Sequence, residues 1–146
     1  MYKLLLILLS TLVLIPTVKA QTTNTQVKCL ADNIYYEAAN QPIKGKIAVA
    51  NVVMNRTKEP KRFGSTPCSV INQKLHGHPQ FSWIEHRKRI LYPDVYKECI
   101  KLAALVYTRN YPDVTFGSTF YKAVYVRNNW RYIKMVQIGG HSFYKG

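Results

Sequence analysis

Acidic residues are scarce in this 146-residue chain: seven Asp and Glu stand against 21 Lys and Arg, for a formal charge of +14. So lopsided a balance argues against a cationic ligand and for a polyanionic one: nucleic acid, anionic lipid or an acidic envelope polymer. Cysteine is equally sparse. Cys29, Cys68 and Cys99 form no C-x-x-C pair, which weighs against a metal site. His76 and His78 form a His-x-His pair with no third ligand near in sequence, so no metal or other cofactor is expected. There is no repeat, no low-complexity tract and no glycine-rich phosphate loop. No nucleic-acid motif appears, and no single Lys-rich amphipathic helix suited to a membrane surface.

One long apolar run exists, and it lies at the start. Lys3, then Leu4 to Ile15, then Pro16 and Val18-Lys19-Ala20 have the order of a secretory signal peptide cut after Ala20. The run is shorter than the ~20 residues a spanning helix needs, so no stable membrane span is expected after cleavage. The expected organisation is a signal peptide over 1–20 and one domain over 21–146, with a secreted, periplasmic or envelope location and a monomeric state. Removal of Lys3 and Lys19 leaves the domain near +12. Export makes one disulfide plausible with one thiol left over; three pairings are open.

Residues 21–26 are rich in Thr and Asn and suggest a flexible start. Val27, Leu30, Ala31, Ile34 and Ala38 then recur at helical spacing, and Pro42 ends that helix. A second helix, from Ile43 or Lys44 to Arg56, is apolar on most sides and should be buried. Asn55 and Arg56 form its polar end, placed to hydrogen-bond the following loop or to reach a substrate. Pro67 to Ile71 suggests a short helical turn, 74–79 a loop, and Asp94 to Asn110 a third long helix. After Thr115 the period becomes two. A strand over 120–126, a turn at 127–129, a returning partner strand over 130–138 and a last extended piece over 141–144 are expected. The fold class is α+β, helices first and a small antiparallel sheet at the C-terminal end.

Glu37 is the acid that draws attention. It borders the apolar stripe of its helix and follows Tyr35 and Tyr36. Lost hydration there disfavours the charged form and raises the pKa, as a general acid at neutral pH requires. Two-carboxylate glycosidases need a second acid ~5–10 Å away. Asp32, five residues earlier, projects about 140° round the helix, and no other acid is an obvious partner. Gln80-Phe81-Ser82-Trp83 offers sugar-binding chemistry, since aromatic faces cover pyranose C–H surfaces while amides and hydroxyls bond their oxygens. Phe81 is expected in the core, with Gln80, Ser82 and Trp83 toward the substrate.

Cys29-Leu30-Ala31-x-x-Ile34-Tyr35-Tyr36-Glu37-Ala38, followed by Gly45-x-x-Ala48-Val49-Ala50-x-Val52-Val53-x-Asn55-Arg56, resembles the cell-wall hydrolase family of the spore-cortex-lytic enzymes. Cys68 to Ile71, Gln80 to Trp83, Phe120-Tyr121-x-Ala123 and Ile138-Gly139-x-His141-x-Phe143-Tyr144 continue the match in order. The resemblance implies a single lysozyme-like domain that acts on peptidoglycan as a lytic transglycosylase. Glu37 would be its acid and then its base, and Tyr121 and His141 would help bind substrate. Anionic envelope polymers are expected as further partners, and nucleic acid is not. The alternatives are a water-using muramidase or glucosaminidase and a non-catalytic peptidoglycan-binding protein. Two departures stand out. The family's Arg and second Glu after the glutamate motif are replaced by Ala39-Asn40, and Lys122 stands where a His is common.

Overall fold

The computed structural model describes residues 17–146. The expected signal segment lies almost wholly outside them. Four helices and two small sheets are present among the described residues: α1 (Thr17–Ala38), α2 (Ile43–Arg56), α3 (Pro67–Ile71), β1 (Lys74–Leu75), β2 (His78–Pro79), α4 (Pro93–Tyr107), β3 (Phe120–Ala123), β4 (Ile133–Ile138) and β5 (His141–Lys145). The helix expected from Val27 begins ten residues earlier, and the Thr- and Asn-rich stretch is helical rather than flexible. Its tether is visible. The Gln26 side chain accepts from the Cys68 backbone N–H at 2.9 Å, and Cys29 and Cys68 form a disulfide that ties α1 to α3. Cys99 is the free, buried thiol.

The central element is α2, which has a neighbour on each side. Ile47, Ala50 and Val53 pack against Leu30 and Ile34 of α1, Val70 and Ile71 of α3 and Leu102, Ala103 and Val106 of α4. Ala48, Val49 and Val52 face the opposite way, onto Ile138 and Phe143 of the sheet. A helix apolar nearly all round can be satisfied only in this sandwiched position. Its charged Lys46 is buried and donates to Glu98 of α4 at 2.7 Å.

The larger sheet corrects the expected pairing. Its order is β3-β5-β4, all antiparallel, so β4 does not return onto β3. The last strand lies in the middle because the Gly139-Gly140 turn folds β5 tightly back on β4. Gly139 takes a φ of 57°, and a Cβ there would come within 2.5 Å of Gln41 Oε1. That same oxygen accepts from Gly140 N at 2.8 Å, which docks the turn onto the α1–α2 corner. Lys134 pairs with Tyr144 and Val136 with Phe143, leaving a one-residue bulge at Met135. The bulge lets Lys134 face outward and Val136 inward. Tyr121, His141 and Phe143 share the inner face; Phe120, Lys122, Ser142 and Tyr144 share the outer one. The expected loop at 74–79 is a minimal hairpin, β1 with β2.

Candidate active site

Glu37 sits in the last turn of α1, one residue from its end, where the docked sheet turn brings β3 alongside. A cavity of about 290 Å³ is lined by Glu37, Arg56, Pro79, Gln80, Phe81, Ser82 and Tyr121. Three expected site residues, Gln80, Ser82 and Tyr121, thus meet at Glu37. Tyr121 donates from its hydroxyl to Glu37 Oε2 at 2.8 Å.

Burial pushes the Glu37 carboxyl above its ordinary value; the Tyr121 hydrogen bond and the Arg56 charge pull in the other direction without cancelling it. Burial, together with the adjacent Glu37 charge and hydrogen bond, drives the Tyr121 phenol well up, so it stays a neutral donor. Glu37 can therefore hold a proton in a region where ordinary carboxylates have lost theirs, as acid chemistry requires.

Arg56 is the residue that the sequence left between two readings. Its side chain does not bond the loop that follows α2. Its Nε donates to the distant Thr119 carbonyl at 2.8 Å, and its guanidinium lies 5.1, 5.4 and 5.5 Å from the ring centres of Phe63, Phe81 and Phe120. It is 6 % exposed, has no carboxylate within salt-bridge range, and its Nη1 is buried without a hydrogen-bond partner. Burial lowers its pKa, and the fields of Tyr121 and Glu37 oppose that. Three aromatic faces take the place of a counter-ion.

Trp83 does not join the cavity. It is 8 % exposed, stacks on Tyr36 at 4.7 Å and donates from Nε1 to Asn33 Oδ1 at 3.3 Å. It braces the α1 face beside Glu37 from within the core. His141 stands behind Tyr121, edge-on at 5.3 Å, and is not among the residues lining the cavity. Its Nδ1 is buried without a partner, and burial lowers its pKa, which favours the neutral ring. Lys122 points to the outer face, where it donates to Asn128 at 2.9 Å.

No second carboxylate lines the cavity. Asp32 is held by Lys28, Arg87 and Tyr96. Asp113 lies in a loop beyond α4, bonded by Asn55, Thr115 and Gly117. Among the described residues no group of three His, Cys, Asp or Glu is placed to hold a metal ion, and no helix is long and apolar enough to cross a membrane.

A family model described as cell wall hydrolase matches residues 40–144. The catalytic domain of the germination-specific lytic transglycosylase SleB from Bacillus anthracis superposes with a TM-score of 0.65 and 25 % identity, over 82 % of this chain and 93 % of that one. The SleB catalytic domain from Bacillus cereus has the same fold, with a TM-score of 0.62 and 23 % identity, over 82 % and 89 %. No curated protein matches the sequence.

Proposed function

This chain belongs to the cell wall hydrolase family, and we propose that it cleaves peptidoglycan glycan strands as a lytic transglycosylase with Glu37 as acid and then base. The observation that carries the reading is that Glu37, with its raised pKa, is the one carboxylate among the residues lining its cavity. Two-carboxylate hydrolysis needs a partner acid across the scissile bond. A reaction in which the substrate supplies its own nucleophile needs only one.

Protonated Glu37 gives its proton to the glycosidic oxygen between N-acetylmuramic acid and N-acetylglucosamine as the C1–O bond breaks. Charge grows on C1 and on Glu37 together. The Tyr121 hydroxyl, already on Oε2, and the Arg56 charge stabilise the new carboxylate. Glu37 then takes the proton from the C6 hydroxyl of the same muramyl residue. That oxygen bonds to C1, the 1,6-anhydro end forms, and Glu37 is protonated again. Gln80 and Ser82 are placed to bond sugar oxygens in the cavity. Export behind a signal peptide over 1–20 and attraction of the basic surface to anionic wall polymers complete the proposal.

Mass spectrometry of soluble fragments from purified peptidoglycan tests it. Anhydromuramyl products that disappear with Glu37→Gln are expected. Fragments heavier by one water would replace the transglycosylase with a hydrolase. No fragments from the unaltered chain would remove catalysis altogether.

A further inference from the structure

The outer face of the sheet carries a run of aromatic rings, from Phe120, half-buried against Phe63, to the exposed Trp130, and it begins where the Glu37 cavity ends. Gln80 lines that cavity and also a neighbouring hollow of about 220 Å³, walled by Arg62, Phe63, Leu75, Phe120 and Tyr132. From there the rings continue in contact. Phe120 stacks on Tyr132 at 4.3 Å, Tyr132 meets Trp130 at 5.4 Å, and Trp130 meets Tyr144 edge-on at 5.8 Å. Tyr144 opens onto a third, polar hollow that holds Lys122, Arg127 and Lys134 and no acid. Trp130 is 41 % exposed.

A cluster of aromatic rings with Trp130 exposed at its crest is costly to leave in water and marks a binding surface. Its chemistry is specific. The exposed Trp130 ring suits the C–H side of a pyranose, and cations at the far end suit carboxylates borne on such a polymer. We infer that the Phe120–Tyr132–Trp130–Tyr144 row is a track for the glycan strand, holding sugars remote from the bond at Glu37 and reached from the cleft past Gln80. The inference rests on the peptidoglycan reading above. It adds that the enzyme distinguishes long strands from short ones: the Glu37 cavity alone holds the scissile region, and the track supplies the affinity that only a polymer can claim.

The chain has two tryptophans, one in the track and one in the core, which gives an internal control. The full chain carrying Glu37→Gln is titrated with peptide-free peptidoglycan strands and, separately, with their repeating disaccharide, and its side-chain N–H signals are followed by NMR. Long strands are expected to shift the Gln80 amide and the Trp130 indole; the disaccharide is expected to leave the Trp130 indole in place. Trp130→Ala, in an exposed irregular segment where the fold should survive, is expected to weaken long-strand binding about tenfold. If long strands move the Gln80 signal while the Trp130 indole stays and Trp130→Ala binds as before, the track is overturned and the peptidoglycan reading stands. If long strands move neither signal, both fall.

Discussion

Glu37 and Asp113 are both partly withdrawn from water, and their environments push them in opposite directions. Burial raises both. At Asp113, hydrogen bonds from Thr115, Asn55 and Gly117 outweigh it and hold the carboxyl below its ordinary range. At Glu37 a single side-chain bond, from Tyr121, is not enough. The lesson is one of counting donors. A carboxylate given several well-placed N–H and O–H groups becomes a structural fixture, and one given a single donor and a cavity stays reactive. The two sites share a mechanical link: Asn55 bonds the Asp113 loop, and the next residue, Arg56, lines the Glu37 cavity.

Removing each acid in turn separates the two sites most widely. Glu37→Gln should lower turnover by about 10²–10⁴-fold with the fold intact by circular dichroism. Asp113→Asn should leave turnover per folded molecule unchanged. Equal losses would erase the distinction. Next, Tyr121→Phe removes the hydrogen bond that lowers the Glu37 pKa, so the carboxyl should rise further. Activity depends on the protonated acid and falls as pH climbs through that pKa. The alkaline limb of the pH–rate profile should therefore move upward, with turnover down by about 10-fold from the lost charge-assisted bond. An unmoved limb would mean that Tyr121 packs without tuning.

Stability gives the smaller effects. Asp113→Ala leaves several donors unmet and should cost about 2–3 kcal/mol in urea unfolding. The sign with pH follows from its depressed folded pKa: the stabilisation is present above the unfolded carboxyl's pKa and is lost as pH falls through the folded one. The variant should thus show a flatter acid limb of stability than the parent. Glu37 has the reverse sign. Its folded pKa is raised, so stability is lost as pH rises above the unfolded value. Glu37→Gln should consequently stabilise the fold at neutral pH by about 0.5–1 kcal/mol, read as a higher melting temperature. A destabilised variant would contradict the raised pKa.

Much of the helical half was legible in the sequence. The boundaries of α2 follow from Pro42 and a dense apolar run, and the start of α4 from Pro93; α4 ends at Tyr107, three residues before the expected Asn110. The expected rise in the Glu37 pKa is present, but the residues around the carboxyl are non-local: Arg56, Pro79 to Ser82 and Tyr121 line its cavity, and Tyr35 and Tyr36 do not. What failed was non-local. Strand order depends on which hairpin closes more tightly, and the alternation in 120–138 says nothing of that. The disulfide required the 5.3 Å approach of Cys29 and Cys68 Cα atoms, 39 residues apart. Trp83 was misplaced because an aromatic between polar residues looks alike whether it faces a sugar or the Tyr36 ring. Arg56 was left between the following loop and a substrate, because its three phenylalanines come from 63, 81 and 120. Trp130 and Tyr132 were absorbed into an expected strand, although aromatics so dense in a polar stretch were a signal to weigh.

The position of β5 has a consequence for the order of events during synthesis. It is made after β3 and β4, yet these two pair only through it. Until residues 141–145 have emerged, β3 has no partner to fix the strand that carries Tyr121. The helices can condense earlier from local contacts, but the sheet closes across a longer stretch of chain. A nascent or prematurely ended chain would therefore hold Glu37 on a formed helix beside an unfinished wall. Wall-cutting competence would come into being with β5, all at once rather than by degrees.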